Sequence, residues 1–585
     1  MKTYGVGGRT RRSPGREALR WIAVGGVLAL VAAQAAPRAR GQESIAAEFG
    51  ETVEVHVVEL DVVVTAGDRP VPGLGVEDFE VWEDGELRTV QSVDAVAPGL
   101  DAMDTLEPGA GPAAPDERDA SGEPLFLLHA FEGGGTNHPR LVRAVRQVCE
   151  WVEEHPQPQT WQAVVLLSTR PVLVQPWTRD RTEVCRALEE LPGVALGRHF
   201  SRPFDARVLQ PSPEPLAGPL VVERERGVEA VENAADGLSE SDRLWYAERS
   251  PLQQVADRLD LLSELRRQEI MAAGLAKLFG ALATSEGTKT LIYYFGAASP
   301  AHHEPLTGER VVIQSGLTSL WGEVSDLASA AGFRVYGSSL NGLLKGTLFG
   351  RHATSAVTVD SLTFRPQEAA RFLAVSTGGR SWSLNEQREI LNRALIDHRA
   401  SYRLAVVVPH GHDGERHEWR VRVARKGVEL SYPPRYVDAS PGELLLGQLH
   451  APSTLFREGG RLPARLRVVS SSKGDDGLQV AIEAGVLARE VGLVPQGDGG
   501  REGNLEVYVG TYSMAGQPLT IDARRERFRL SGEGELAPDH AFAVERTVDL
   551  PATGGLIAVG FYDAVDQGTA LTVVRVIAPP APPSG

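Results

Sequence analysis

The stretch from Pro124 to Val152, PLFLLHAFEGGGTNHPRLVRAVRQVCEWV, sets an apolar strand, a glycine loop and an amphipathic helix in immediate succession. Leu125-Phe126-Leu127-Leu128 is apolar at every position, as a strand covered on both faces must be. Glu132-Gly133-Gly134-Gly135 follows as a loop. Leu141, Val142, Val145, Val148, Cys149 and Val152 then recur at helical spacing on one face. The pattern repeats downstream. Residues 163–167, 172–174, 290–294, 334–337 and 402–408 read as strands, and 184–191, 318–331, 366–377 and 385–398 as helices. This alternation predicts an α/β doubly wound central domain over 124–437 with a mostly parallel sheet. A Pro-, Arg- and Glu-rich insertion at about 198–250 interrupts it, before a helical stripe from Leu252 to Leu265 that runs on toward Phe279.

Both flanks read as β structure. Residues 50–98 predict a small N-terminal β unit. In it Val53, Val55 and Val57 alternate in one phase and Val58, Leu60, Val62 and Val64 in the other, which suggests a bulge. Glu83-Asp84-Gly85 is a hairpin turn. Residues 99–123 form a Pro/Gly/Ala/Asp linker. Residues 440–577 carry several short strands between Gly/Asp/Pro turns and predict a C-terminal β-sandwich. The Pro-rich end, 578–585, reads as a disordered tail.

Residues 1–41 carry eight basic residues and one acid, with an uncharged run from Trp21 to Ala36, the order of a signal peptide. The expected location is exported, periplasmic or extracellular, with an uncleaved N-terminal anchor as the alternative. No later run is long enough to span a bilayer, so no transmembrane span is expected in the mature chain. The whole chain carries a net charge of −17, and the part after this basic segment is more acidic still, which argues against a nucleic-acid partner. The two cysteines, Cys149 and Cys185, each lie on the apolar face of a predicted helix. They read as buried thiols or, if the helices are neighbours, as a disulfide.

Three motifs in order resemble the von Willebrand factor A-related proteins of the acidobacterial type. They are Val71-Pro-Gly-Leu-Gly-Val-Glu-Asp-Phe-Glu-Val-Trp-Glu-Asp-Gly85, then Leu373-Ala-Val-Ser-Thr-Gly-Gly-Arg380, then Tyr402-Arg-Leu-Ala405 with Asp413-Gly-Glu-Arg-His417 and Val421-Arg-Val423. The resemblance covers 55–96 and 124–437. It implies a von Willebrand factor A-like sheet flanked by helices, and export. It also implies a Mg²⁺ site built from Asp-x-Ser-x-Ser after the first strand, a Thr from a second loop and a later Asp. Here the first three positions are His129, Phe131 and Gly133, and the later one falls at Phe295 and Gly296. An aromatic ring and a glycine supply no hard oxygen ligand, so a degenerate metal-ion-dependent adhesion site with no bound metal is expected. The same strand edge, with Glu132, Gly134, Gly135 and Thr136, is the candidate binding edge. Its glycines before a helix offer N–H groups to an anion.

His410, His412 and His417 with Asp413 read as a hairpin loop, with metal ligation as the competing reading. His302-His303-Glu304 reads as a solvated loop. Gly337-Ser338-Ser339 lacks the second glycine of a nucleophile elbow. Taken together, the sequence predicts a non-catalytic protein-interaction or scaffolding protein with no cofactor and an extracytoplasmic protein partner. The alternatives are a metal-dependent adhesin with atypical ligands and an extracytoplasmic hydrolase.

Overall fold

A computed structural model describes residues 56–97, 124–133, 138–155, 160–167, 172–195, 207–208, 268–285, 287–296, 307–340, 366–382, 387–453, 456, 458–474, 477–496, 500–530 and 540–577. All lie in one compact unit, Val55–Gly585. The signal segment, the linker, the tail, most of the insertion, Gly134, Gly135, Thr136 and His302 to Glu304 fall outside the described residues.

The expected fold class, an α/β doubly wound von Willebrand factor A-like central domain flanked by a small N-terminal β unit and a C-terminal β-sandwich, is corrected. The chain is mostly β, and three of its four described sheets are antiparallel. The 50–98 stretch is not a β unit of its own. His56–Ala66 pairs with Ser401–Val408, which pairs in turn with Glu86–Ala95, so a late strand lies between two early ones. Phe79–Glu83 pairs with Arg416–Val423 in the same way. Glu86–Ala95 is shared along its length. Its first residues pair with Phe79–Glu83 and its later ones with Ser401–Val408, which curls this eight-stranded sheet around one core of Leu60, Val62, Phe79, Val81, Leu404 and Trp419. Hydrophobic alternation marks each strand, but it does not say which distant strand lies beside it.

The expected bulge in 53–64 is also corrected, because His56 to Val63 pair without a register shift. The irregularity falls on the neighbouring strand, between Ala405 and Val406. Val58, Leu60, Val62 and Val64 face the sheet core, while Val63 and Thr65 are buried on the other face. Only the later part of the strand is covered on both sides, and Val57, in the earlier phase, is exposed, while Val53 and Val55 lie outside the described residues. Asp84 and Gly85 both have positive φ, 49° and 86°, as a two-residue hairpin turn requires.

The seven-stranded sheet is mixed. Ser381–Trp382, Phe333–Ser339, Thr288–Phe295, Leu125–Glu132 and Thr160–Leu167 run parallel, and Val172–Thr178 and Arg207–Val208 run antiparallel at one end. One face packs on the helical stretch 268–281 and on Trp321, Val324 and Leu373. The other packs on the helices His138–Glu154, Arg181–Ala195 and Gln387–Arg399. Cys149 and Cys185 join the first two of these helices in a disulfide. The helix Pro366–Ser376 stops at Gly378, φ 69°, and Gly379 lies so close to the Val335 carbonyl that a Cβ there would sit 1.8 Å from its oxygen.

The C-terminal strands form two antiparallel sheets around Val480, Ile482, Val507, Val509, Phe542, Val559 and Phe561. The helix Pro441–His450 starts at a Ser440/Glu443 capping box and buries Leu445 and Leu449 against Tyr508 and Tyr512. Its Gln448 donates to the Ala281 carbonyl at 2.8 Å, which ties it to the 268–281 helix.

A buried charge network joins the two larger sheets. Asp397 is fully buried, accepts from the Tyr336 hydroxyl at 2.9 Å and lies 2.8 Å from Arg393 Nε. Arg393 also reaches Asp68 at 2.9 Å and Thr65 at 3.3 Å, across the start of the antiparallel sheet. Removing one partner leaves a buried charge uncompensated. Asp397→Ala is therefore expected to lower unfolding free energy by about 3–5 kcal/mol in urea denaturation; a loss under about 1 kcal/mol would mean the network is not a structural tie. Replacing Cys149 and Cys185 by Ser frees a loop of 36 residues in the unfolded chain. By loop entropy it should lower stability by roughly 3–4 kcal/mol against the oxidised protein, read by the same titration.

Candidate functional site

The carboxyl edge of the parallel strands is where the sequence places its candidate binding residues. His129, at the centre of Leu125–Glu132, is fully buried. Its Nε2 lies 3.1 Å from the Gln162 side-chain oxygen and its Nδ1 3.2 Å from the Tyr294 hydroxyl. The amide oxygen only accepts, so Nε2 carries the proton and Tyr294 donates to Nδ1. Burial holds the imidazole neutral and pushes its pKa down to about 4, with Gln162 opposing the shift. Phe131 is buried and stacks on Tyr294 at 4.1 Å. Glu132 is buried, and its Oε2 accepts from the Gly296 backbone N–H at 2.8 Å. Gly133 donates to the Leu167 carbonyl at 2.6 Å, and Phe295 is buried. Among the described residues of the edge, Glu132 thus bonds to Gly296, while His129 and Gly133 are engaged by Gln162, Tyr294 and Leu167. Ser338, in the elbow-like Gly337-Ser338-Ser339, is also fully buried and donates to Gln387, so it is closed to a substrate.

A second constellation lies at the end of the curled sheet. Here the three sequence-noted histidines meet carboxylates from two distant segments. Strand pairing sets Trp419 opposite Glu83, which brings the Asp84-Gly85 turn to the loop after Ser401–Val408. His410 Nε2 lies 3.1 Å from Glu83 Oε1, and its Nδ1 lies 3.0 Å from Asp438 Oδ2 and 3.7 Å from Asp413 Oδ2. His412 Nδ1 lies 3.3 Å from Asp438 Oδ1. His417 Nδ1 lies 2.8 Å from Asp84, and its Nε2 3.3 Å from Asp413. The His410 and His417 rings stack at 4.1 Å. Glu83 is fully buried and is held by Arg88 at 2.9 Å and the Tyr436 hydroxyl at 2.5 Å.

The electrostatics follow from this packing. For His417, burial opposes protonation, but Asp84 and Asp413 outweigh it and raise the pKa. The Asp438 hydrogen bond raises that of His412. Burial alone would raise the Asp438 carboxyl, yet His412 and His410 hold it below the usual range. Sequence reading noted Asp413 and the three histidines but missed Glu83, Asp84, Tyr436 and Asp438. The acidic turn was visible, whereas its partner was set by pairing between segments more than three hundred positions apart.

No family model matches the chain, and no curated protein matches it. Solved structures similar to it include the vWF domain of the type V pili tip protein Mfa5 from Porphyromonas gingivalis, at 19% identity over 12% of this chain and 26% of that one, with a TM-score of 0.11. An aerotolerance-related membrane protein from Bacteroides fragilis NCTC 9343 aligns at 11% identity over 47% of this chain and 98% of that one, with a TM-score of 0.21. Spo0M, a sporulation control protein from Bacillus subtilis, aligns at 11% identity over 21% and 51%, with a TM-score of 0.11. The chain spans about a quarter of the Mfa5 structure and half of that of Spo0M. Superpositions this loose carry no argument about activity.

The imidazoles set a pH dependence. His129 and His398 are buried, with pKa values pushed by desolvation from 6.5 down to about 4. Between those values the unfolded chain takes up protons that the native state refuses, so both residues withdraw stability as pH falls from 6.5 toward 4. His412 and His417 act oppositely, since their raised pKa values stabilise below 6.5 and that contribution fades as pH rises through the folded value. His129→Gln is expected to lose about 1.5–2 kcal/mol less than the wild type between pH 6.5 and pH 5 in urea titrations. Parallel losses would show that His129 is not held neutral.

Proposed function

We propose that the chain is an exported, non-catalytic protein-interaction or scaffolding protein that works without a metal at the carboxyl edge of its parallel strands. The observation that carries this reading is the burial of the described residues of that edge. His129, Phe131 and Glu132 are buried, and the polar atoms of His129 and Glu132 are engaged with Gln162, Tyr294 and Gly296. A hard cation needs about six oxygen ligands in octahedral array, and an imidazole and a phenyl ring at this edge provide none. The buried Ser338 speaks against a hydrolase built on the elbow-like segment. Export rests on the basic-then-apolar order of residues 1–41, and the acidic remainder favours a protein partner over nucleic acid.

Calorimetric titration of the full chain with Mg²⁺ tests the reading, and no saturable heat is expected. Saturable binding that Glu132→Gln abolishes would overturn it and favour a metal-dependent adhesin with atypical ligands.

A further inference from the structure

The geometry points to a divalent transition-metal site of the zinc class at the end of the curled antiparallel sheet, with His410 Nδ1, Asp413 and Asp438 as its protein ligands and water completing the shell. It is separate from the parallel-strand edge and involves none of its residues.

The donors already converge. Asp438 Oδ2 lies 3.0 Å and Asp413 Oδ2 3.7 Å from His410 Nδ1, and the three ligand atoms all lie within 4.8 Å of one another. Ligands about 2.0–2.1 Å from a tetrahedral ion are spaced about 3.3 Å apart, so an ion fits among them with small adjustment. One imidazole nitrogen and two carboxylates make a borderline donor set that suits Zn²⁺ and its neighbours better than Mg²⁺ or Ca²⁺.

Each ligand has its own orienting partner, the arrangement that fixes ligands around bound metals. Glu83 Oε1 lies 3.1 Å from His410 Nε2 and holds the ring with Nδ1 toward the two aspartates. His412 holds the far oxygen of Asp438, Oδ1, leaving Oδ2 toward His410. His417 Nε2 lies 3.4 Å from Asp413 Oδ1 and 3.3 Å from Oδ2, while its other nitrogen is fixed by Asp84. The backbone is tied as well, since Gly414 N donates to the Asp438 carbonyl and Asp438 N to the Glu415 carbonyl, both at 3.1 Å.

Charge points the same way. Glu83 is paired with Arg88, which leaves Asp84, Asp413 and Asp438 facing three imidazoles. His410 Nδ1 faces the Asp438 and Asp413 carboxylate oxygens, so the point among them favours a positive ion. A divalent ion supplies that charge.

The test is titration of the full chain with ZnCl₂ after dialysis against a chelator, read by calorimetry and by the visible spectrum of Co²⁺ in place of Zn²⁺. One equivalent of saturable binding is expected, with a rise in the thermal midpoint. Asp438→Asn and His410→Gln should each weaken binding at least tenfold, and Glu83→Gln by about 10- to 100-fold through loss of His410 orientation. Asp94→Asn, an exposed acid of the same sheet, should bind as the wild type does. Asp413→Asn, on the open side of the loop, should also weaken binding at least tenfold, and it stands in if the more buried variants fail to fold. No saturable binding by the wild type would mean that no ion is held there. That result, or unchanged affinity in Asp413→Asn and Asp438→Asn, overturns the site.

Discussion

The strand Ser401–Val408 sits between two strands from the start of the described chain, and the antiparallel sheet has no continuous path without it. Its Arg403 pairs with Asp61, 342 positions earlier. Closing so long a loop carries an entropy cost that local contacts do not repay, so the pairing has to be held by burial. It is held chiefly on the core face. Leu404, Val406 and Tyr402 enter the core of the curled sheet, and on the other face Arg403 pairs with Asp61. The helix Gln387–Arg399 leads directly into the strand. The two larger sheets thus share an element boundary at Ala400, whose carbonyl accepts from Val64 N at 3.0 Å.

That boundary is also where the buried charges collect. Asp397, Arg393, Arg334 and His398 lie on or beside the last turns of the helix, and Ser401 bonds both Arg334 and the Asp397 carbonyl. Apolar residues would cover the same surface at lower desolvation cost. A charged network does something they do not, because Arg393 must find Asp68 and Thr65 as well as Asp397, which fixes the helix against one turn of one strand. Specificity of docking is the physical return for burying those ions.

Much of the local structure was legible in the sequence, and the pairing was not. The apolar run Leu125–Leu128, the Asp84-Gly85 turn and the stop at Gly378-Gly379 each follow from side-chain size, alternation or φ preference within a few residues. The expected doubly wound class failed because it assigned Tyr402–Val408 to the parallel sheet on grounds of order along the chain. The strand carries the same apolar residues that either sheet would accept, and only its register with His56–Val63 decides the matter. The histidine and carboxylate cluster was hidden for the same reason. His410, His412 and His417 are adjacent in sequence, but Glu83 and Asp438 reach them through two different strand pairings.

The two polar constellations differ in what their surroundings allow. His129 is fully buried, and desolvation keeps its ring neutral through the physiological range, so it behaves as a hydrogen-bonding core residue. The hairpin histidines lie at a sheet end that is only partly buried, beside carboxylates that favour positive charge. Burial sets the sign of the shift in the first case and opposite charge in the second. A site that responds to its medium needs groups whose charge is not already settled by packing. Of the two, only the loop between Ser401–Val408 and Arg416–Val423 meets that condition.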